Sequence, residues 1–519
     1  GRGDERLAVS LTEGLPGLDA AGQAAEWLGD RRAVLGRFAE ARSWYETAVG
    51  CAANDSDRQR LAEKQARVLG GVDASYPSHG GQAQATGAAC LCADLDGGVA
   101  PEGPPGRITP LFEVPGDRMV RPEYLPERDF DWPVRQLGTA AAEDWLIIHN
   151  QRDVACYHSQ DGALLWEQRL GGDENMRSVP LARMRPVVRG ETVFCRRCTS
   201  RGVEVAALSL LDGQVLWNVL PLDSAVSDPW FVGKDLFVLA ADRLGAGQVG
   251  VVLAALDPER GTVLKRDGLF RLRQVWSDDL NFLVRAGAGA FFAQGEGVVF
   301  RADYTGSVRW LRELPWIAPS DRSWWQARPW YIPLATPPLA ADGRVYVHQP
   351  GSWTVEALSA ETGEPIWSRT DGRLISILAA WNGRLWLQAE DGLLVLREED
   401  GRWERLYPLM DVLAVGFLPR AGQVWCVTSR EVPGQQDQRQ WRFLWLDASD
   451  GRIVHEMGVP AEGKDWQFFG PVVAASDGIV FMTASRSLPA VRRCYRMEIP
   501  PNGLSPTSPD SWQSSRAIQ

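Results

Sequence analysis

From residue 144 onward, apolar positions fall in short runs of strand length, each opened by a polar or turn-forming residue. In order they read DWLIIHN, ETVFCRRC, KDLFVLAA, GAFFAQG, GRVYVHQ, GRLWLQA, GQVWCVT and DGIVFMT. A second phrase follows each run, in which a half-apolar stretch meets a glycine. CYHSQDGALLW ends at Trp166, ALSLLDGQVLW at Trp217, FRADYTGSVRW at Trp310 and ALSAETGEPIW at Trp367. Weaker copies are ALDPERGTVLK, VLREEDGRWER, WLDASDGRIVH and MEIPPNGLS. Neither phrase has the spacing of an amphipathic helix; both alternate as half-buried strands do.

The glycines of the second phrase are Gly162, Gly213, Gly261, Gly306, Gly363, Gly401, Gly451 and Gly503, a mean step of about 49 residues. A repeat of that length with strand content predicts propeller blades of four strands. Eight strand runs before eight glycines predict eight blades. The local chemistry fits: Asp161, Asp212, Asp400, Asp450 and Asn502 stand just before glycine, which supplies the positive φ of a tight hairpin turn. Trp166, Trp217, Trp310 and Trp367 stand four residues past it, where a flat ring can fill the wedge between blades. Burying such a ring is worth on the order of 2–3 kcal/mol. Most of the 23 tryptophans thus have a structural use.

The phrase resembles the tryptophan-docking motif of the pyrroloquinoline-quinone-type β-propeller repeat, roughly Ala-x-Asp-x-x-x-Gly-x-x-x-Trp. Ala357, Gly363 and Trp367 match it, as do Ala207, Gly213 and Trp217. Lys265, Arg405, His455 and Thr507 stand where four of the units should carry Trp. The resemblance runs from about 109 to 510 and implies a mainly β fold, an eight-bladed quinoprotein-like propeller. The superfamily holds quinoprotein alcohol dehydrogenases and also cofactor-free scaffolds, such as the lipoprotein of the outer-membrane barrel-assembly machinery. The dehydrogenases cap their quinone with adjacent, disulfide-bonded cysteines and hold calcium with Glu, Asn and Asp. This chain has no Cys-Cys pair, and we expect no catalytic residue, cofactor or metal. The enzyme reading, a quinone- and calcium-dependent alcohol dehydrogenase, stays as the alternative, beside a propeller that binds a small ligand or glycan.

The last unit ends in a Pro-rich stretch unsuited to finishing a blade. Residues 109–116, TPLFEVPG, resemble the outer strands and are expected to close blade 8, removing a free edge. The domain reading is therefore 1–70 helical, 71–108 a Gly/Ala/Pro-rich linker expected to lack a fold of its own, and 109–519 propeller. Within the first part, Leu28, Gly29, Gly36, Ala41, Tyr45 and Ala48 fall at the spacing of a tetratricopeptide repeat. A capped helix, begun by Asp or Ser and ended by Gly, follows it. One such repeat cannot bury its own face, so further repeats or a partner are expected to cover it.

Composition changes little in this picture and mainly excludes. The net charge is −11 and no basic run is present, which disfavours nucleic acid and anionic membranes as partners. No apolar run approaches the roughly 18 residues of a membrane span. The chain begins at Gly1, not Met, from which a processed or truncated form is expected. Cys195 and Cys198 have metal-like spacing, but on a strand their sulfurs point to opposite faces and no second pair exists. His149 and His348 fall in strands read as innermost, where a buried, hydrogen-bonded imidazole is expected.

The loops from an outer strand to the next inner strand are aromatic. They carry Trp132, Trp230, Trp276 and Trp466, and the longest has Arg322, Trp324, Trp325, Arg328, Trp330 and Tyr331. We read them as sharing a face with the Asp-Gly turns. Aromatics with Arg are the usual hot-spot residues of interfaces; the same rings could instead plug the funnel. The expectation is a binding protein, a scaffold or structural subunit of a larger assembly with protein partners. By resemblance it is placed in the bacterial periplasm, cell envelope or exterior.

Overall fold

The computed structural model describes residues 19–34, 38–52, 54–68, 72–73, 107–114, 138–142, 144–149, 153–170, 184–245, 248–273, 280–287, 289–295, 297–314, 337–348, 354–371, 373–381, 383–389, 392–409, 414–418, 423–432, 435–459, 466–475, 478–485 and 492–498. The strands form eight antiparallel sheets, each built on four consecutive strands, with one exception at the join. Blade 1 runs Gly138–Ala142, Trp145–His149, Asp153–His158 and Leu164–Arg169. Blades 2 to 7 repeat this order through Ile453–Gly458. Blade 8 takes Trp466–Ala475, Gly478–Ser485 and Arg492–Glu498 from the end of the chain. Its outer strand is Ile108–Val114, paired to Arg492–Glu498 from Ile108 opposite Met497 to Val114 opposite Arg492.

The core is not at the centre of the ring but between its blades. Eight hydrophobic clusters fill eight junctions, and each draws on two neighbouring blades. Period-two alternation makes this possible. In Trp145–His149, Ile147 joins the cluster shared with blade 2, while Leu146 and Ile148 join Val480 and Cys494 of blade 8. That last cluster closes the circle, and Leu111 of the N-terminal strand packs against it. Contacts between first strands of neighbouring blades place those strands around the axis. His149 and His348 therefore lie on second strands, one removed from the innermost position expected for them.

Ahead of the propeller stand helices α1 (Asp19–Val34), α2 (Phe38–Cys51) and α3 (Asp55–Val68). Ala25, Ala48 and Leu61, one from each helix, form their buried centre. The cap of α3 is Asn54, not the Asp or Ser read from sequence: its Oδ1 accepts the Asp57 amide at 2.8 Å. Val72 and Asp73 then pair with Leu272 and Arg271 at the outer edge of blade 3, whose six-stranded sheet also takes in Ser224–Ala225.

Candidate interaction surface

The repeat phrase is a docking device between blades. Each turn glycine from Gly162 to Gly451 has a φ of 65 to 86°. The turn is wider than a two-residue hairpin. His158, for example, donates its amide to the Ala163 carbonyl and accepts the Gly162 amide, leaving four residues in the loop. Asp precedes glycine because its carboxylate accepts the amide two residues on: Asp161 from Ala163 at 3.0 Å, Asp212 from Gln214 at 3.2 Å, Asp450 from Arg452 at 2.8 Å. These bonds hold the Asp161 and Asp212 carboxyls below the usual range, with Ser209 the larger cause at Asp212.

Each Trp then reaches the glycine of the next blade. A Cβ on Gly213 would lie 2.5 Å from the Trp166 ring, and one on Gly363 would lie 2.6 Å from that of Trp310. Only hydrogen fits there. The indole N–H donates to the carbonyl three residues before that glycine: Trp166 to Leu210, Trp217 to Pro258, Trp310 to Ala360 and Trp367 to Glu398, at 2.7 to 3.0 Å. Gly162, Gly213, Gly306, Gly363 and their tryptophans thus belong to the framework.

Two of the units without Trp fill the position from two residues further along the same strand face. Tyr407 lies against Gly451 and stacks on Trp386 with ring centroids 5.8 Å apart, while Arg405 donates to the Asp450 carbonyl at 2.5 Å. In blade 3, Asp267 lies against Gly306 and pairs with Lys265 at 2.6 Å.

Strand parity decides which loops share a face, and it corrects the sequence reading. In a four-stranded antiparallel blade the third-to-fourth turn lies with the first-to-second turn. The outer-to-inner loops lie at the other end, with the second-to-third hairpins. The Asp-Gly turns and the aromatic loops are therefore on opposite faces. Blades 3 and 7 lengthen their hairpins on the loop face: Asp235–Gly245 with Gln248–Leu256, and Gln423–Val432 with Gln435–Asp447. They stand four blades apart, on opposite sides of the ring.

Of the loop residues read as a binding surface, Trp230 is corrected. Its ring is buried against Phe237 and Phe291 in the cluster between blades 3 and 4. A strand begins at Trp230, so its side chain alternates into the junction. Trp132, Trp276, Arg322, Trp324, Trp325, Arg328, Trp330 and Tyr331 lie outside the described residues, as does the side chain of Trp466.

A layer that sequence reasoning only half saw lies toward the loop face. Counting five residues from the turn that opens the second strand gives His149, Arg196, Gln294, His348 and Gln388 in blades 1, 2, 4, 5 and 6, all buried. Three of them strut the next blade. His149 Nδ1 lies 2.8 Å from the Met184 carbonyl, Arg196 Nε donates to Asp228 at 2.8 Å, and Gln294 Nε2 donates to the His348 carbonyl at 2.7 Å. Cys195 and Cys198 are buried in the clusters on either side of blade 2, as strand geometry requires.

Burial pushes both layer histidines down to about 4, with the Arg196 charge contributing at His149 against its bond to Met184. The folded state then holds fewer protons than the unfolded one between about pH 6.5 and 4, so stability falls as pH falls through that window. The cost is about 3 kcal/mol per histidine by pH 4. Glu398, raised by burial to about 7, works the other way, gaining a proton on folding. The variant His348→Gln, borrowing the residue blade 4 uses in this layer, is expected to lower the slope of stability against pH by about one proton. Urea unfolding at pH 7.5, 6 and 5 measures this, and an unchanged slope would refute a buried neutral His348.

With this geometry in hand, residues 123–313 match the family model described as "Outer membrane protein assembly factor BamB". The propeller is built of pyrroloquinoline-quinone-like repeats. The matched stretch of this quinone-like propeller spans blades 1 to 4. Among solved structures, BamB from Moraxella catarrhalis aligns over 79% of this chain and 99% of its own, at 13% identity and a TM-score of 0.38. The WD40 domain of SCAP from fission yeast aligns over 76% and 98%, at 8% identity and 0.38. The Pan2 WD40 domain of Neurospora crassa aligns over 79% and 100%, at 11% and 0.37. Comparison with curated proteins gives no match.

Proposed function

We propose that this chain is a non-catalytic scaffold, a protein-binding subunit of a bacterial envelope or extracellular assembly. The observation that carries the reading is the match of blades 1 to 4 to the BamB family model, that of an outer membrane protein assembly factor. Two features support it. The loop face is framed by the long hairpins of blades 3 and 7. The strand Val308–Glu313 runs toward that face and Leu339–Ala341 runs away from it, and the stretch of sequence between them holds Arg322, Trp324, Trp325, Arg328, Trp330 and Tyr331, residue types that dominate interface energetics. In this reading residues 1–70 form a second interaction module of tetratricopeptide kind and 71–108 tether it. No helix among the described residues is long and apolar enough to cross a membrane.

Gentle isolation of the native particle from its source, with mass spectrometry of what co-purifies, tests the proposal. A fixed-stoichiometry complex is expected, lost when Trp324 and Trp325 are both replaced by alanine. A particle no larger than one chain that reduces a dye with alcohols, once given the quinone and Ca²⁺, would replace this reading by the dehydrogenase.

A further inference from the structure

On the turn face, opposite the proposed partner surface, a cleft of about 480 Å³ opens between blades 5 and 6. Asp342 comes from a first-to-second turn, Arg344 and Arg384 open the second strands of blades 5 and 6, Arg397 ends a third strand, Glu398 and Glu399 lie in the turn before Gly401, and Glu404 in the strand after it. The arginines are occupied. Arg344 donates to the Glu398 carbonyl at 2.6 Å, Arg384 to the Glu404 carboxylate at 2.8 Å, and Arg397 to Asp400 at 2.9 Å.

The acids are not occupied in the same way. The Glu398 residue is 5% exposed. Its amide donates to the Gly383 carbonyl, and its own carbonyl serves Arg344 and Trp367. Yet among the described residues no hydrogen bond reaches its carboxylate. Asp342 and Glu399 likewise enter no ion pair there. Asp342 repels Glu398, and Arg344 offsets this in part. Beside them the buried Tyr346 hydroxyl faces the Arg344 guanidinium, not the carboxylates. A cavity lined by a nine-tenths-buried acceptor and by exposed carboxylates, with its arginines already bound, is short of positive charge.

We propose that this cleft is a binding site for a guanidinium or ammonium group, held by Glu398 and Asp342. A planar guanidinium suits it, since its forked N–H donors can serve both carboxylates. The group could sit on a partner's arginine or lysine side chain or on a free small amine. The site does not depend on the scaffold reading, because it lies on the other face.

Isothermal titration with Nα-acetyl-arginine amide tests it, with Nα-acetyl-norleucine amide as the uncharged control and free L-arginine as the small-molecule arm. Saturable binding of the first and none of the control is expected. Glu398→Gln should weaken it about tenfold, the loss of a charge-assisted bond. Asp342→Asn keeps the left-handed turn at φ 47° and should weaken it by a smaller factor. Tighter binding of L-arginine than of the amide would assign the site to a free metabolite; the reverse would assign it to a side chain.

Binding should also fade as pH falls through about 7, where Glu398 takes up its proton. The groups around Glu398 are Asp342, Arg344, Tyr346, Arg384, Arg397, Glu399 and Glu404. No saturable binding, equal binding by both variants, or equally tight binding of Ca²⁺ overturns the proposal.

Discussion

Gly363→Ala is expected to destabilise the propeller by about 4 kcal/mol, while the same change at Gly343 removes only about 1 kcal/mol. Both glycines have φ 74°, so both variants carry the same penalty of roughly 1–2 kcal/mol for an L-residue in the left-handed region, partly offset by a stiffer unfolded chain. Their surroundings differ. A Cβ on Gly343 meets nothing within 4 Å, whereas one on Gly363 overlaps the Trp310 ring. That ring is 9% exposed and bonded to the Ala360 carbonyl at 3.0 Å. Displacing it forfeits part of a burial worth about 2–3 kcal/mol and a hydrogen bond worth about 1 kcal/mol. Urea midpoints at equal slope measure the pair of variants. If the two unfold at the same midpoint, the ring contact contributes nothing and the docking account of the repeat is wrong.

The same contact explains how much of the fold could be read from sequence. The glycine needs its φ and its missing Cβ, and a Trp from the preceding blade must reach it, so the turn glycine recurs in every unit and the Trp stands four residues past it in four of them. Where Trp is absent, the answer lay one alternation further along: Asp267 after Lys265, Tyr407 after Arg405. Two residues on a strand return to the same face, so the substitution was legible only after the face was known.

The face of the aromatic loops was misread although a single strand decides it: the Asp-Gly turn leads into the outer strand and the aromatic loop leaves it, so the two lie at opposite ends of that strand. Trp230 was misassigned by its loop-like neighbours, although it opens an alternating strand. The buried layer of His149, Arg196, Gln294, His348 and Gln388 needed the blades in register, since each residue alone reads as an ordinary polar strand position. The charged cleft of Glu398 was out of reach. Its members come from two blades, and only packing shows that the arginines are taken while the carboxylates are not.

The largest effect is expected where the chain closes on itself. A protein starting at residue 107 keeps the strand Ile108–Val114; one starting at 115 leaves Arg492–Glu498 as an exposed edge. The shorter form loses the pairings from Ile108–Met497 to Val114–Arg492 and the packing of Leu111 and Ile108 on the two junctions flanking blade 8. Partial burial of those side chains and the strand's hydrogen bonds together are worth about 3–5 kcal/mol. Because closure couples blade 8 to blade 1, that loss opens the ring at one seam, and a free edge also invites pairing with a second chain. The form starting at 107 should unfold near the midpoint of the full chain and stay monodisperse. The form starting at 115 should unfold several degrees lower and self-associate in sedimentation. A peptide of residues 107–114 added in excess should restore it, because the edge it leaves is a template of matching register. Equal melting of the two forms would mean that the ring is held shut by the junction between the first strands of blades 1 and 8 alone, and that the N-terminal strand is ornament to a closure made elsewhere.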